Sequence, residues 1–97
     1  NPVVSSAKYE SLENEFPTIV ADPANSNAYK ISAGWLIENA GWKGKSFGNY
    51  GVHKNQALVL VNYGGATGSE IYKLSTDIKD SVKEIYDIDL DREVNMI

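Results

Sequence analysis

Two periodicities organise the chain. From Thr67 to about Tyr86, Ile71, Leu74, Ile78, Val82 and Ile85 recur at 3.6-residue spacing, which predicts an amphipathic helix with one buried face. Thr67 and Glu70 stand three apart at its start, the spacing of a capping box. Ser5 to Phe16 predicts a shorter helix through Tyr9, Leu12 and Phe16, closed by Pro17. Between them, Ser32 is placed to cap a helix whose core is Trp35-Leu36-Ile37. Gly41 is placed to end it in a left-handed conformation.

The second periodicity is that of strands. Gln56 to Asn62 carries Ala57-Leu58-Val59-Leu60-Val61, a run expected of a strand buried on both faces. Phe47 to His53 reads as a strand interrupted by Gly48 and Gly51, and Tyr29 to Ile31 as a short one. Lys43-Gly44-Lys45 reads as a turn, and Asp22 to Asn27 as a surface loop, because its Pro and Asn residues favour turns. From Ile88 to Met96 the chain alternates. Ile88, Leu90, Arg92, Val94 and Met96 share one face, and Asp89, Asp91, Glu93 and Asn95 the other. The order is α-α-β-β-α-β. It predicts an α+β fold with helices packed against one small mixed β-sheet, the third helix permitting a parallel crossover.

Composition narrows the function. At 97 residues the chain has room for one core, so residues 1–97 are read as a single domain. With 42% hydrophobic residues, disorder is not expected. The net charge of −4, with no basic block, argues against a nucleic-acid surface. Cysteine is absent, which excludes disulfides, thiolate nucleophiles and thiolate metal sites. No apolar run nears the ~20 residues of a membrane span, and a cytoplasmic protein fits these features.

The wording of particular segments is more specific. Ala33 to Gly44 reads AGWLIENAGWKG, and Val52-His53 is followed by Gln56-Ala57-Leu58-Val59-Leu60-Val61-Asn62. Asn1-Pro2-Val3-Val4 looks like the end of a G-S-F-F-K-N-P-V-V motif, and Gly64-Gly65-Ala66-Thr67-Gly68 like the loop after a long buried strand. Leu90-Asp91-Arg92-Glu93-Val94 stands where L-E-P-E-V is usual, with Asp91-Arg92 replacing Glu-Pro. In this order, over the whole chain, these segments resemble the C-terminal domain of UDP-N-acetylenolpyruvoylglucosamine reductases. Those flavoenzymes of bacterial cell-wall synthesis are also called UDP-N-acetylmuramate dehydrogenases.

The resemblance implies a function. The parent protein would use FAD and NADPH to reduce UDP-N-acetylglucosamine enolpyruvate to UDP-N-acetylmuramate. Its FAD domains, partners of this one in the same chain, would lie outside these residues. A chain that opens without Met, inside a motif, is expected to be a trimmed piece that catalyses nothing and binds no cofactor alone. A stand-alone module that binds a nucleotide-sugar or a protein without chemistry is the competing reading.

Site residues follow from the same likeness. Glu93, by pattern alone a solvated carboxylate, matches the family's catalytic acidic residue. Hydride adds to one carbon of an enol ether, and the neighbouring carbanion or enol then needs charge stabilisation and a proton. The family's proton-donating serine and its arginine fall outside these residues. Asn1 and Gln56 match amides that contact the UDP portion; an amide offers a donor and an acceptor to uracil, sugar or phosphate oxygens. On residues alone Gln56 is equally a polar strand-entry residue, and Asn1, at a chain end, is expected to fray.

The remaining motifs read as structure. His53, the lone histidine, is expected to be a hydrogen-bonded structural residue. The Gly64–Gly68 loop lacks both G-x-x-x-x-G-K-[ST] and G-x-G-x-x-G, so a turn and a capping box explain it. Trp35 is read as core and Trp42 as cover for a sheet edge. Lys43 and Lys45 are read as a solvated pair that could face a pyrophosphate.

Overall fold

A computed structural model describes residues 1–90 and the strand at 95–96. Strand β1 (Val3–Ser5) runs straight into helix α1 (Ser6–Glu15), with the Ser5 hydroxyl accepting the Lys8 N–H at 3.1 Å as the cap. Strands β2 (Ala21–Asn25) and β3 (Ala28–Ile31) follow as a hairpin, then helix α2 (Ala33–Asn39). Next come β4 (Tyr50–Val52), β5 (Val59–Asn62), helix α3 (Gly68–Tyr86) and β6 (Asn95–Met96). The α+β class and the three predicted helices are all present.

The single sheet expected from sequence is instead two three-stranded sheets. The first, in order β1-β3-β2, is antiparallel throughout. The second, β4-β5-β6, is mixed: β4 and β5 are antiparallel, and β5 and β6 are parallel across the α3 crossover. The cause is Asp22–Asn25, read as loop but built as an edge strand. Pro23, which lacks an N–H, is tolerated on such an edge. The turn falls one step later, where the Asn25 Oδ1 accepts the Asn27 N–H at 2.8 Å, an Asx turn. With β1 on its other side, β3 completes a sheet of its own.

The core joins both sheets to the helices. Ile31, Leu36, Ile37, Val52, Leu60, Ile78 and Val82 are its most deeply buried large side chains, drawn from β3, α2, β4, β5 and α3. Each such side chain contributes about 1.5–3 kcal/mol of apolar burial. Helix α3 carries the capping box read from sequence, with the Thr67 hydroxyl accepting the Glu70 N–H and the Glu70 carboxylate the Thr67 N–H. One position on its face differs. Ile85 is exposed, and Tyr86 takes the inward place against the rings of Phe16 and Trp35, 5.0 and 5.9 Å away. Both positions fit the helical period; the aromatic cluster of α1 and α2 decides between them.

At the end of the described chain, Ile88 and Leu90 are buried and Asp89 is exposed, the predicted alternation. These residues pair with no strand among the described residues, in which β6 is Asn95–Met96. Strand β5 is likewise shorter than read, since Ala57 and Leu58 form a turn before it.

Candidate functional site around the start of α2 and the β4–β5 hairpin

The first turn of α2 needs hydrogen-bond acceptors for its free N–H groups. Ser32 supplies one, its hydroxyl accepting the Trp35 N–H at 3.1 Å. Asn1 supplies another: its Oδ1 accepts the Ala33 N–H at 3.0 Å, across 32 positions of sequence. Asn1 is therefore pinned rather than frayed as expected, because the Pro2 carbonyl also accepts the Ile31 N–H at 2.8 Å and β1 pairs with β3. Its acceptor oxygen is committed to the fold.

The same turn reaches the second sheet. A Cβ built on Gly34 would lie 3.9 Å from the Leu58 side chain, so α2 packs flush against the segment entering β5. Gln56 stands two residues before Leu58, exposed, with its carbonyl accepting the Val59 N–H at 3.0 Å. Asn1 and Gln56, far apart in sequence, thus flank one contact between α2 and the β4–β5 connection. Glu93, the third residue singled out, lies outside the described residues. Two positions beyond it, Asn95 pairs with Val59.

His53 closes β4. Its backbone N–H donates to the Val59 carbonyl at 2.8 Å, and its Nδ1 accepts the Asn55 N–H at 3.0 Å. A backbone N–H can only donate, so Nδ1 carries no proton and the neutral ring bears it on Nε2. Val52 and Leu60, facing pairs on β4 and β5, point into the core. On the other face a cavity of about 360 Å³ is lined by His53, Lys54, Val61 and Tyr63. Lys54 and Tyr63 were not singled out in the sequence; their only signal was their place beside His53 and at the end of β5.

The two lysines that were considered for a pyrophosphate are engaged elsewhere. Lys43 pairs with Glu38, and the Lys45 ammonium lies 5.0 Å from the Trp42 ring centroid. Trp42 itself is half-buried beside Phe47, which agrees with a covering role, and Trp35 packs against the core.

The loop after β5 spends several of its N–H groups on the fold. The Asn62 Oδ1 already accepts the N–H groups of Gly64 and Ala66, at 2.9 and 3.3 Å. The Asn62 amide donates to the Ala66 carbonyl, and the capping box takes the Thr67 and Glu70 N–H groups. Among the described residues there is also no cluster of His, Asp or Glu suited to a metal ion, and no helix long and apolar enough to cross a membrane.

Comparison with known proteins adds to this geometry. A family model described as UDP-N-acetylenolpyruvoylglucosamine reductase, C-terminal domain, matches residues 1–97. The UDP-N-acetylenolpyruvoylglucosamine reductase of Flavobacterium johnsoniae is 47% identical over 97 residues, covering all of this chain and 29% of its own length. That of Porphyromonas gingivalis is 46% identical over the same extent. That of Burkholderia ambifaria is 42% identical over 93 residues, 96% of this chain and 27% of its own. The chain therefore spans under a third of the length of these curated relatives.

Proposed function

The chain belongs to the UDP-N-acetylenolpyruvoylglucosamine reductase C-terminal domain family, and from that premise we propose that it is the substrate-binding domain of such a reductase. The parent enzyme reduces UDP-N-acetylglucosamine enolpyruvate to UDP-N-acetylmuramate for peptidoglycan synthesis, in the cytoplasm. Residues 1–97 act as one domain that closes against flavin-binding domains elsewhere in the parent chain. The observation that carries this reading is the meeting of Asn1 with the Gln56 loop through Ala33, Gly34 and Leu58. It brings the segments that carry the two amides to either side of one contact, and an amide suits a uridine diphosphate because it offers both a donor and an acceptor.

FAD, reduced by NADPH, supplies the hydride in the parent. This chain supplies binding and charge control. Gln56 offers both amide functions to the uridine or diphosphate, and Asn1 stands at the start of α2, which its oxygen holds. Glu93 takes the part of the family's acidic residue, stabilising the charge that develops at the carbon that receives the proton. These residues alone hold no flavin and oxidise no NADPH; the occupied amides of the Gly64–Thr67 loop support that reading. Purified protein of this length is accordingly colourless, and a yellow preparation with bound FAD would contradict it.

The deciding experiment is steady-state NADPH oxidation by the full-length protein, wild type against Glu93→Gln, with folding verified by circular dichroism. Turnover should fall about a thousandfold, ~4 kcal/mol of transition-state stabilisation. Near-normal turnover would remove Glu93 from the chemical step and favour a module that only binds.

A further inference from the structure

The loop that carries Gln56 is folded back by a histidine ring. Its first residue, His53, is fixed through its backbone on two sides: the N–H donates to the Val59 carbonyl at 2.8 Å, and the carbonyl accepts the Gly44 N–H at 3.3 Å. At the far end the Gln56 carbonyl accepts the Val59 N–H at 3.0 Å. Between these anchors stand Lys54 and Asn55, both exposed. The bond that turns them is the one from the Asn55 N–H to His53 Nδ1, at 3.0 Å. Elsewhere in this chain the same bond, from a side chain to the N–H two residues on, is made by asparagine. The Asn25 Oδ1 accepts the Asn27 N–H, and the Asn62 Oδ1 the Gly64 N–H, at 2.8 and 2.9 Å. An amide oxygen accepts at any pH. An imidazole accepts only while it is neutral, because its charged form donates from both nitrogens. The neutral ring here carries its proton on Nε2, so the next proton goes to Nδ1 and sets it against the Asn55 N–H.

We propose that His53 is a positioning residue with a pH-dependent hold: neutral, it keeps the 53–56 loop closed and Gln56 set for the substrate; protonated, it releases the loop and weakens substrate binding. The assignment rests on the proposed function for what Gln56 binds, and gives His53 no step in the reduction. Sequence position links the two residues, since the amide that the ring holds belongs to the residue directly before Gln56. The surroundings offer a charged ring no compensation. Lys54 and Tyr63 line one cavity with it, and no carboxylate is among those lining residues. The turn after α2 meets the loop through Gly44, whose added Cβ would stand 3.6 Å from the Lys54 Cα. The lysines of that turn, Lys43 and Lys45, lie against Glu38 and the Trp42 ring. Because the neutral ring favours the closed loop, the hold is complete at higher pH. It is lost as pH falls through the range in which imidazoles charge, roughly pH 8 to 5.

The test follows KM for UDP-N-acetylglucosamine enolpyruvate in the full-length protein at about pH 8 and about pH 5.5. Hydrogen exchange over residues 54–56 is read by mass spectrometry under the same conditions. Wild type is compared with His53→Asn, which keeps an acceptor and cannot titrate, and with His53→Ala, which has none. At the higher pH, His53→Asn should match wild type in KM and in protection. His53→Ala should show a KM raised about fivefold and a loop that exchanges faster. At the lower pH, wild type should move to the level of His53→Ala, while His53→Asn keeps its protection and a KM about threefold or more below that of wild type. KM and protection that change with pH alike in wild type and His53→Asn would overturn the proposal. So would His53→Ala matching wild type at the higher pH, or a loop that follows the ring while KM does not. The exchange measurement needs no turnover. A wild type that reduced no substrate would sink the reductase reading, while a loop that loosens at low pH only with histidine would still uphold the hold.

Discussion

The carbonyl oxygen of Lys45 lies 2.5 Å from where a Cβ on Gly51 would stand. The approach is tight because that same carbonyl accepts the Val52 N–H at 2.8 Å, drawing the turn after α2 down onto β4. Gly51 is needed there for room, since no positive φ is involved. Gly51→Ala should destabilise the protein by about 1–3 kcal/mol, the cost of forcing atoms into a filled space. Gly68→Ala, at the first helical position of α3 with nothing within 4 Å, should be neutral or slightly stabilising. Urea denaturation of both variants checks the contrast; equal midpoints would show that the turn yields freely.

A side chain that caps a helix and touches a ligand carries two separable functions. Asn1→Ala removes the acceptor of the Ala33 N–H and should cost about 0.5–2 kcal/mol of stability. Asn1→Asp keeps the acceptor and loses the amide N–H donors. It should hold stability near wild type while weakening UDP binding. Unchanged affinity in both variants, with stability lost only in Asn1→Ala, would make Asn1 a cap alone.

Asp87 ends α3 in the left-handed region at φ 55°, and its carboxylate lies 3.0 Å from the Lys83 ammonium. The hydrogen bond from Lys83, and then its charge, hold the Asp87 carboxyl below its ordinary value. The same bond raises the Lys83 ammonium. A depressed acid stabilises the fold above its unfolded pKa and loses that contribution as pH falls through the native value. A raised base behaves in the opposite sense, losing its contribution as pH rises through its native value. The stability difference between wild type and Asp87→Asn should therefore be flat near neutrality. It should close below the ordinary aspartate value of 3.8 and again above the ordinary lysine value of 10.5. Thermal melts across pH would show it; an offset constant at every pH would mean the pair contributes nothing. Both groups are exposed, so the effect is small and shrinks with added salt.

Where one physical signal dominated, the fold was legible in the residues. Helix α3 and its cap follow from a 3.6-residue period and the Thr67–Glu70 spacing, both local facts. The division into two sheets was not legible, because Pro23 and Asn25 carry the chemistry of turns even when the chain lays them along an edge. The exchange of Ile85 for Tyr86 depended on Phe16 and Trp35, distant partners that no local period contains. At the site, Gln56 and Asn1 were reached through the family likeness, while Asn1's hold on α2 is a contact across the fold. Lys54 and Tyr63 were passed over because a single lysine and a single tyrosine have no spacing to betray them.

The parallel pairing of Val59 with Asn95 and Leu60 with Met96 has a consequence in time. Strand β4 can join β5 as soon as both are made, but the other edge of β5 stays open until α3 and all that follows it are synthesised. At typical rates of elongation that wait is roughly 2–7 s. During it the nascent chain presents an apolar edge, Val59-Leu60-Val61, to whatever lies nearby. In the cell the vulnerable moment of this domain is therefore its birth, and the last strand acts as the seal.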